Sequence, residues 1–257
     1  MCRLLGIAGN PPLPVLQTLK AFYPLCKEGC VKKGMESGHS DGWGISGFSS
    51  GRAVYFARTP QSAAKSEEDY LQAGAKAAKS DGSCVIAHFR KATGGDISIS
   101  NTHPFHFRDW IFAHNGTIFG ASASFQMIEA EPQGTTDSER FFLWLWDQIH
   151  AEMDPTTELA ALLKKTRQNW VYTSLNFIMS DGKHLWAYRD VGDKRLAAGE
   201  TFKDREDYYT LYTATVEGSS VVSSEPLLSL SKKWEPLAQR TLAVFTAEQP
   251  APRLIPV

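Results

Sequence analysis

A cysteine at position 2, directly behind Met1, becomes the N-terminal residue once that methionine is removed, and removal requires a small second residue. A free α-amine has a pKa of about 7.7–8.0, so it can take the thiol proton as a built-in general base. Cys2 would then supply nucleophile and base together, as a threonine does with its own N-terminal amine, and a thiol starting near about 8.5 is easier to activate. By position alone, Cys2 could equally open an edge strand. His114-Asn115-Gly116 closes the apolar run Trp110 to Ala113. An Asn amide and a following Gly N–H can form a two-donor oxyanion hole, although Asn-Gly is also the commonest tight-turn signal. His88-Phe89-Arg90-Lys91-Ala92-Thr93-Gly94-Gly95 leaves a second apolar run. Arg90 offers a planar fork for a carboxylate and Thr93 a hydroxyl, or Arg90 simply pairs with an acid at the strand end. Thr135 to Glu139 opens a helix, where Asp137 can cap and also receive a substrate ammonium.

These side chains need strand ends and helix starts to hold them. Cys2 to Ala8 reads as a strand stopped by Gly9-Asn10-Pro11-Pro12. Leu13 to Lys27 has helical spacing, kinked or broken at Pro24, with Gly29 suited to its terminus. Gly34 to Asp41 reads as a polar surface loop, followed by a hairpin of Gly42 to Phe48 and Ala53 to Ala57 that turns at Ser49-Ser50-Gly51. Ser66 with Asp69 starts a helix that ends near Lys79. Cys84 to Phe89 and Trp110 to His114 are near-continuous apolar runs, as in strands covered on both faces. Asp137 or Ser138 caps a helix whose segment Phe141 to Trp146 is apolar all round and so expected between layers; a second helix spans Thr156 to Arg167. Short strands follow near Leu175 to Met179, Leu185 to Tyr188, Tyr208 to Ala214, Ser220 to Val222 and Leu242 to Phe245. The order predicts stacked sheets with helices outside.

Composition narrows the function further. The 257 residues are 42% hydrophobic, enough for one large core, and no linker divides them. With 27 basic and 28 acidic residues there is no excess positive charge, so neither nucleic acid nor an anionic membrane surface is an expected partner. The apolar run after Arg3 is too short for a signal-peptide core or a membrane span, which places the protein in the cytoplasm. There the four cysteines read as thiols rather than disulfides. Cys26 and Cys30 would share a helix face, but without a second Cys/His pair at ligand spacing they read as helix thiols rather than a zinc site.

In this order the pieces resemble the class II glutamine amidotransferases, a branch of the N-terminal nucleophile hydrolases. The matching segments are Cys2 with Gly6-Ile7, His88-x-Arg90-x-Ala92-Thr93, Asn101-Thr102-His103-Pro104, His114-Asn115-Gly116, Thr136-Asp137-Ser138-Glu139 and Ser223-Ser224-Glu225-Pro226-Leu227. His39-Ser40-Asp41-Gly42-Trp43-Gly44 looks like the stand-alone subgroup, which lacks a fused synthase domain. The resemblance implies one domain over residues 2–257 and an α+β fold, a four-layer α-β-β-α sandwich of two mostly antiparallel sheets. It implies that Cys2 attacks a side-chain amide while Asn115 and Gly116 hold the oxyanion. Arg90 and Thr93 would bind the substrate α-carboxylate, and Asp137 with the Gly116 carbonyl the α-ammonium. Water then resolves a γ-glutamyl thioester and releases glutamate. No cofactor and no metal is implied. The expected partner is a small-molecule γ-glutamyl substrate, with a separate ammonia-accepting or peptidase protein as a candidate, and the oligomeric state is left open.

Lys91 and Gly94 stand where many synthase-fused members carry Trp and His, which leaves room for a substrate other than free glutamine. Some subgroup members remove glutamate from γ-glutamyl peptides or γ-glutamyl thiol intermediates. Two alternatives remain. His88, His103, His106 and His114 can be read as the ligands of a metal hydrolase, and the chain can be read as a catalytically silent γ-glutamyl-binding regulatory subunit.

Overall fold

The computed structural model describes residues 2–32, 35–121, 125–126, 129–149 and 153–257. Met1, whose removal is expected, and Gly34, where the polar loop was expected to start, lie outside the described residues. In chain order the elements are β1 (Arg3–Ala8), α1 (Val15–Phe22), α2 (Leu25–Glu28), β2 (Trp43–Ser49), β3 (Arg52–Thr59), α3 (Glu67–Ala77), β4 (Cys84–Phe89), β5 (Phe105–Phe107) and β6 (Trp110–Asn115). Then come α4 (Asp137–Gln148), α5 (Pro155–Asn169), β7 (Asn176–Ser180), β8 (His184–Arg189), α6 (Phe202–Tyr208), β9 (Tyr212–Val216), β10 (Ser219–Ser223), β11 (Glu235–Pro236), β12 (Thr241–Thr246) and β13 (Gln249–Pro256).

The strands form a seven-stranded sheet, β11-β9-β10-β1-β4-β2-β3, and a six-stranded sheet, β13-β12-β8-β7-β6-β5. Every pairing is antiparallel. Period-two alternation sorts the side chains into layers. Leu4 and Ala8 of β1, Cys84 and Ile86 of β4, and Ile111 and Ala113 of β6 share one buried cluster between the sheets. Leu5 and Ile7 face the other way, onto Leu19, Phe22, Tyr70 and Ala73 of α1 and α3. Phe112 of β6 packs outward on Phe141 and Phe142 of α4, with Leu159 and Leu163 of α5 in the same cluster. This is the expected α+β sandwich of four layers, α-β-β-α.

Local departures from the sequence expectations have physical causes. β1 is central, not an edge strand, because β4 and β10 pair with its two sides. The helix near Pro24 is broken there, since Pro24 starts a second short helix that Gly29 ends. Cys30 therefore lies beyond α2 and is exposed while Cys26 is buried, so the two do not share a helix face. His39, expected in a surface loop, is buried. Ser66 makes no cap hydrogen bond to α3; its hydroxyl instead accepts from Trp43 Nε1 and donates to the Ser62 carbonyl. Thr136, not Asp137 or Ser138, caps α4 by accepting from Glu139 N. α4 lies outside the second sheet rather than between layers, and Phe125 and Trp170 against Trp144 bury its far side. Tyr208, expected in a strand, ends α6, whose start carries a capping box of Thr201 and Asp204. The hairpin turn is as expected: Ser50 and Gly51 have φ of 51° and 74°, the two left-handed residues that a tight β2–β3 connection needs.

Candidate active site

The same alternation that builds the core brings the chemical residues together. Counting back from Leu4 puts the Cys2 side chain on the inter-sheet face; counting on from Ala113 puts Asn115 there, and on from Ile86 puts Arg90 there. β1, β4 and β6 thus deliver these side chains to one end of the sandwich. The cleft at that end, about 70 Å³, is lined by Cys2, Arg90, Thr93, Gly116 and Asp137, with Lys91, His103, His114, Thr117, Thr136 and Ser138 around them.

Cys2 N donates to Asn115 Oδ1 at 3.1 Å, and its thiol lies 3.7 Å from the Lys91 carbonyl. Burial pushes the thiol pKa up, opposed by the charges of Arg90 and Arg3. With Oδ1 occupied, Asn115 keeps its Nδ2 protons to donate. Gly116 is required by packing: a Cβ there would overlap the Ser174 carbonyl oxygen. Its φ is not in the left-handed region, so Asn115-Gly116 is not the tight turn that the dipeptide alone would allow.

Arg90 is 2% exposed, and among the described residues it makes no ion pair, so the strand-end salt bridge is not formed. Its Nη1 and Nη2 donate instead to the Asp96 and Gly94 carbonyls at 3.0 and 3.2 Å, which fix the fork while leaving its charge uncancelled. Thr93 is exposed and its hydroxyl is 3.4 Å from that of Thr117. Asp137, in the first turn of α4, accepts from Ile118 N through Oδ2 at 2.6 Å.

Several residues outside the expected set hold this geometry. Asp41 N donates to the Arg90 carbonyl, Asp41 Oδ2 accepts from Ala92 N at 2.8 Å, and Arg90 N donates to the Gly42 carbonyl. The His39 to Gly44 segment therefore splints the Arg90 loop. Asn101 ties that loop to the start of α4, donating to the Asp96 carbonyl and accepting from Thr135 N. His114 faces outward: Nε2 donates to the Ser174 carbonyl, so Nδ1 accepts from the Ser138 hydroxyl, and burial lowers its pKa. Of the four histidines read as alternative metal ligands, His88, His103 and His114 lie near one another and His106 stands apart. His106 stacks on Tyr55, His88 stacks on His103 at 4.3 Å, and no group of three His, Cys, Asp or Glu able to hold a metal occurs among the described residues.

Against known proteins, the model of the class-II glutamine amidotransferases matches residues 1–252. The chain belongs to that family. YafJ of Escherichia coli (strain K12), a glutamine amidotransferase by inference, is 32% identical over 206 residues, 73% of this chain and 72% of YafJ. A glutamine aminotransferase class-II domain protein from Silicibacter pomeroyi shares the fold with a TM-score of 0.63 at 20% identity, over 99% of both chains. Glutamine phosphoribosylpyrophosphate amidotransferase of Bacillus subtilis also gives 0.63, at 14% identity; 99% of this chain matches 49% of that one, so this chain spans about half its length. No helix among the described residues of this family member is long and apolar enough to cross a membrane.

Proposed function

We propose that the chain hydrolyses the γ-glutamyl amide of glutamine or of a larger γ-glutamyl compound, with Cys2 as an N-terminal nucleophile once Met1 is removed. One observation carries this most: the Cys2 nitrogen rests on Asn115 Oδ1, which sets nucleophile, base and oxyanion donor within one hydrogen bond. In the proposed cycle the thiol proton passes to the α-amine and the sulfur attacks the γ-carbonyl carbon. Asn115 Nδ2 and the Gly116 N–H take the negative charge. The C–N bond breaks as the amine leaves with that proton, and water, deprotonated by the α-amine, opens the thioester to glutamate and free thiol. Arg90 and Thr93 hold the α-carboxylate, and Asp137 with the Gly116 carbonyl the α-ammonium. We place this free-thiol enzyme in the cytoplasm, acting as one unit over residues 2–257.

A sample shown by intact mass to begin at Cys2 should release glutamate from a panel of γ-glutamyl compounds, and Cys2→Ala should abolish release while leaving circular dichroism unchanged. Activity surviving in Cys2→Ala would end this proposal.

A further inference from the structure

Cys2 stands at a strand end that is laddered on one side only. β1 pairs with β4 as far as Arg3, opposite Phe89, but its ladder with β10 stops at Leu5, opposite Ser223. Once Met1 is gone nothing precedes the nucleophile, and a chain end frays unless it is tied down. On the β10 side a serine makes the tie. Leu4 N donates to Ser224 Oγ at 2.8 Å, a hydroxyl in the place of a ladder carbonyl, while Ser224 N donates to the Leu4 carbonyl at 3.0 Å.

Arg3 adds a second tie. Period-two alternation turns it away from the cleft, to the helix side with Leu5 and Ile7, and it is fully buried there. Three segments converge on its guanidinium. Nη2 donates to the Cys30 carbonyl at 2.6 Å, Nε donates to His39 Nε2 at 3.2 Å, and Nη1 stands 3.4 Å from Glu225 Oε1, which also accepts from Cys30 N at 2.7 Å. His39 is set to receive it. Its Nδ1 donates to the Leu25 carbonyl, so Nε2 is left as the acceptor, and burial together with the Arg3 charge lowers the ring's pKa to about 3, which keeps it neutral. Gly29 leaves the room, since a Cβ there would come within 3.0 Å of His39 Cε1 and 3.3 Å of Arg3 Cγ. The Tyr208 ring lies against the guanidinium, 4.6 Å from its carbon. An apolar side chain would complete this layer without the desolvation of a charge, so stability alone does not explain an arginine directly after the nucleophile.

We propose, building on the hydrolase function above, that Arg3 is a positioning residue for the nucleophile and that Ser224 shares the role: together they hold the strand end so that the Cys2 amine stays on Asn115 Oδ1. Neither touches substrate. The step they govern is thioester formation, in which the S–C bond forms, the γ-glutamyl C–N bond breaks and the thiol proton leaves with the amine by way of the Cys2 α-amine. Binding of the glutamyl unit falls to Arg90 and Asp137 on other elements and is left intact when the strand end loosens.

The test uses enzyme verified by mass to begin at Cys2, with glutamine, γ-glutamylalanine and γ-glutamyl-p-nitroanilide as substrates. In Arg3→Met, which fills the space without a donor, kcat should fall by about 10²-fold with little change in KM, the cost of a nucleophile displaced by about an ångström. Arg3→Lys, which keeps a charged donor for the Cys30 carbonyl, should recover part of the loss. Ser224→Ala, a small change that spares the fold, should lower kcat several-fold, again without raising KM. A glutamyl diazoketone, which alkylates a sulfur aligned with the γ-carbonyl position, separates misplacement from unfolding: it should label Cys2 in every chain of each variant, but more slowly, in step with kcat. Unchanged kcat in both Arg3→Met and Ser224→Ala, a KM that rises while kcat holds, or a fall that in both variants matches an equal unlabelled fraction overturns this inference alone. Unaltered enzyme that releases glutamate from none of the three substrates removes the hydrolase function, and this inference with it.

Discussion

The small cleft lined by Cys2, about 70 Å³, and a larger one of about 690 Å³ lined by Arg3, Lys32, Glu200 and Glu225 are built from different kinds of interaction. In the small one, the groups that would touch the glutamyl unit are fixed by backbone hydrogen bonds: Arg90 to two loop carbonyls, Asp137 to Ile118 N, Asn115 to Cys2 N. In the large one, ion pairs between side chains far apart in the chain line the walls, Lys32 with Glu200 and Arg3 of β1 with Glu225. Buried Arg205 holds the loop opposite Lys32 by donating to the carbonyls of Gly192, Lys194 and Arg195. Backbone partners leave a side chain one position, which suits a reacting centre where small misplacement is costly. Ion pairs between side chains fix a position less tightly, which is tolerable in a wall that Cys2 does not line.

Damage to the small cleft should therefore be severe and graded by closeness to the reacting carbonyl. Asn115→Ala is expected to lower kcat by about 10²–10³-fold with little change in KM, because its amide meets charge that exists only as Cys2 attacks. Glutamate-release kinetics on the folded variant check this, and near-normal kcat would remove the oxyanion role. Arg90→Lys keeps the charge but loses the fork and both loop carbonyl contacts; it should raise KM by about tenfold or more with a smaller change in kcat.

Acid should loosen this end of the molecule. Burial lowers the pKa of His39 and His106 to about 3, and also lowers His88, His103 and His114. Below about pH 6.5 the unfolded chain binds protons that the fold excludes, so stability is complete above that pH and falls as pH drops. The loss approaches about 1.4 kcal/mol per pH unit for each such histidine, offset slightly by His184, whose pKa Asp181 raises. Urea unfolding from about pH 7.5 to about 4.5 should show the decline, and a flat profile would contradict buried neutral histidines. The smallest effect is expected from the splint. Asp41→Ala removes the carboxylate that holds Ala92 N and should raise KM several-fold, about 1 kcal/mol, without altering kcat. An unchanged KM would mean that the Arg90 loop keeps its position without Asp41.

Much of the small cleft was legible in the sequence because its residues sit at the ends of strands with clear apolar runs, and period-two alternation then fixes which side chains converge. The His39 to Gly44 segment was visible only as a pattern; that it splints Arg90 through backbone contacts depends on a pairing of β2 with β4 that spacing does not reveal. The large cleft was not legible at all. Its walls come from residues far apart in the chain, and α6 is masked in the sequence because the strand-forming residues from Tyr208 to Ala214 give a stronger signal than the Thr201 capping box. β13 escaped for a related reason: Pro252 argues against a strand, yet β13 is an edge strand of its sheet, where a missing N–H is tolerated.

The central claim, that Cys2 acts as an N-terminal nucleophile, is tested most directly by acid-quenching the enzyme during turnover and measuring its mass. Protein beginning at Cys2 should carry one γ-glutamyl group, mapped to Cys2 and lost on treatment with hydroxylamine, while protein retaining Met1 should carry none. Glutamate release with no adduct on Cys2, or an equal adduct on the Met1-bearing form, would contradict it.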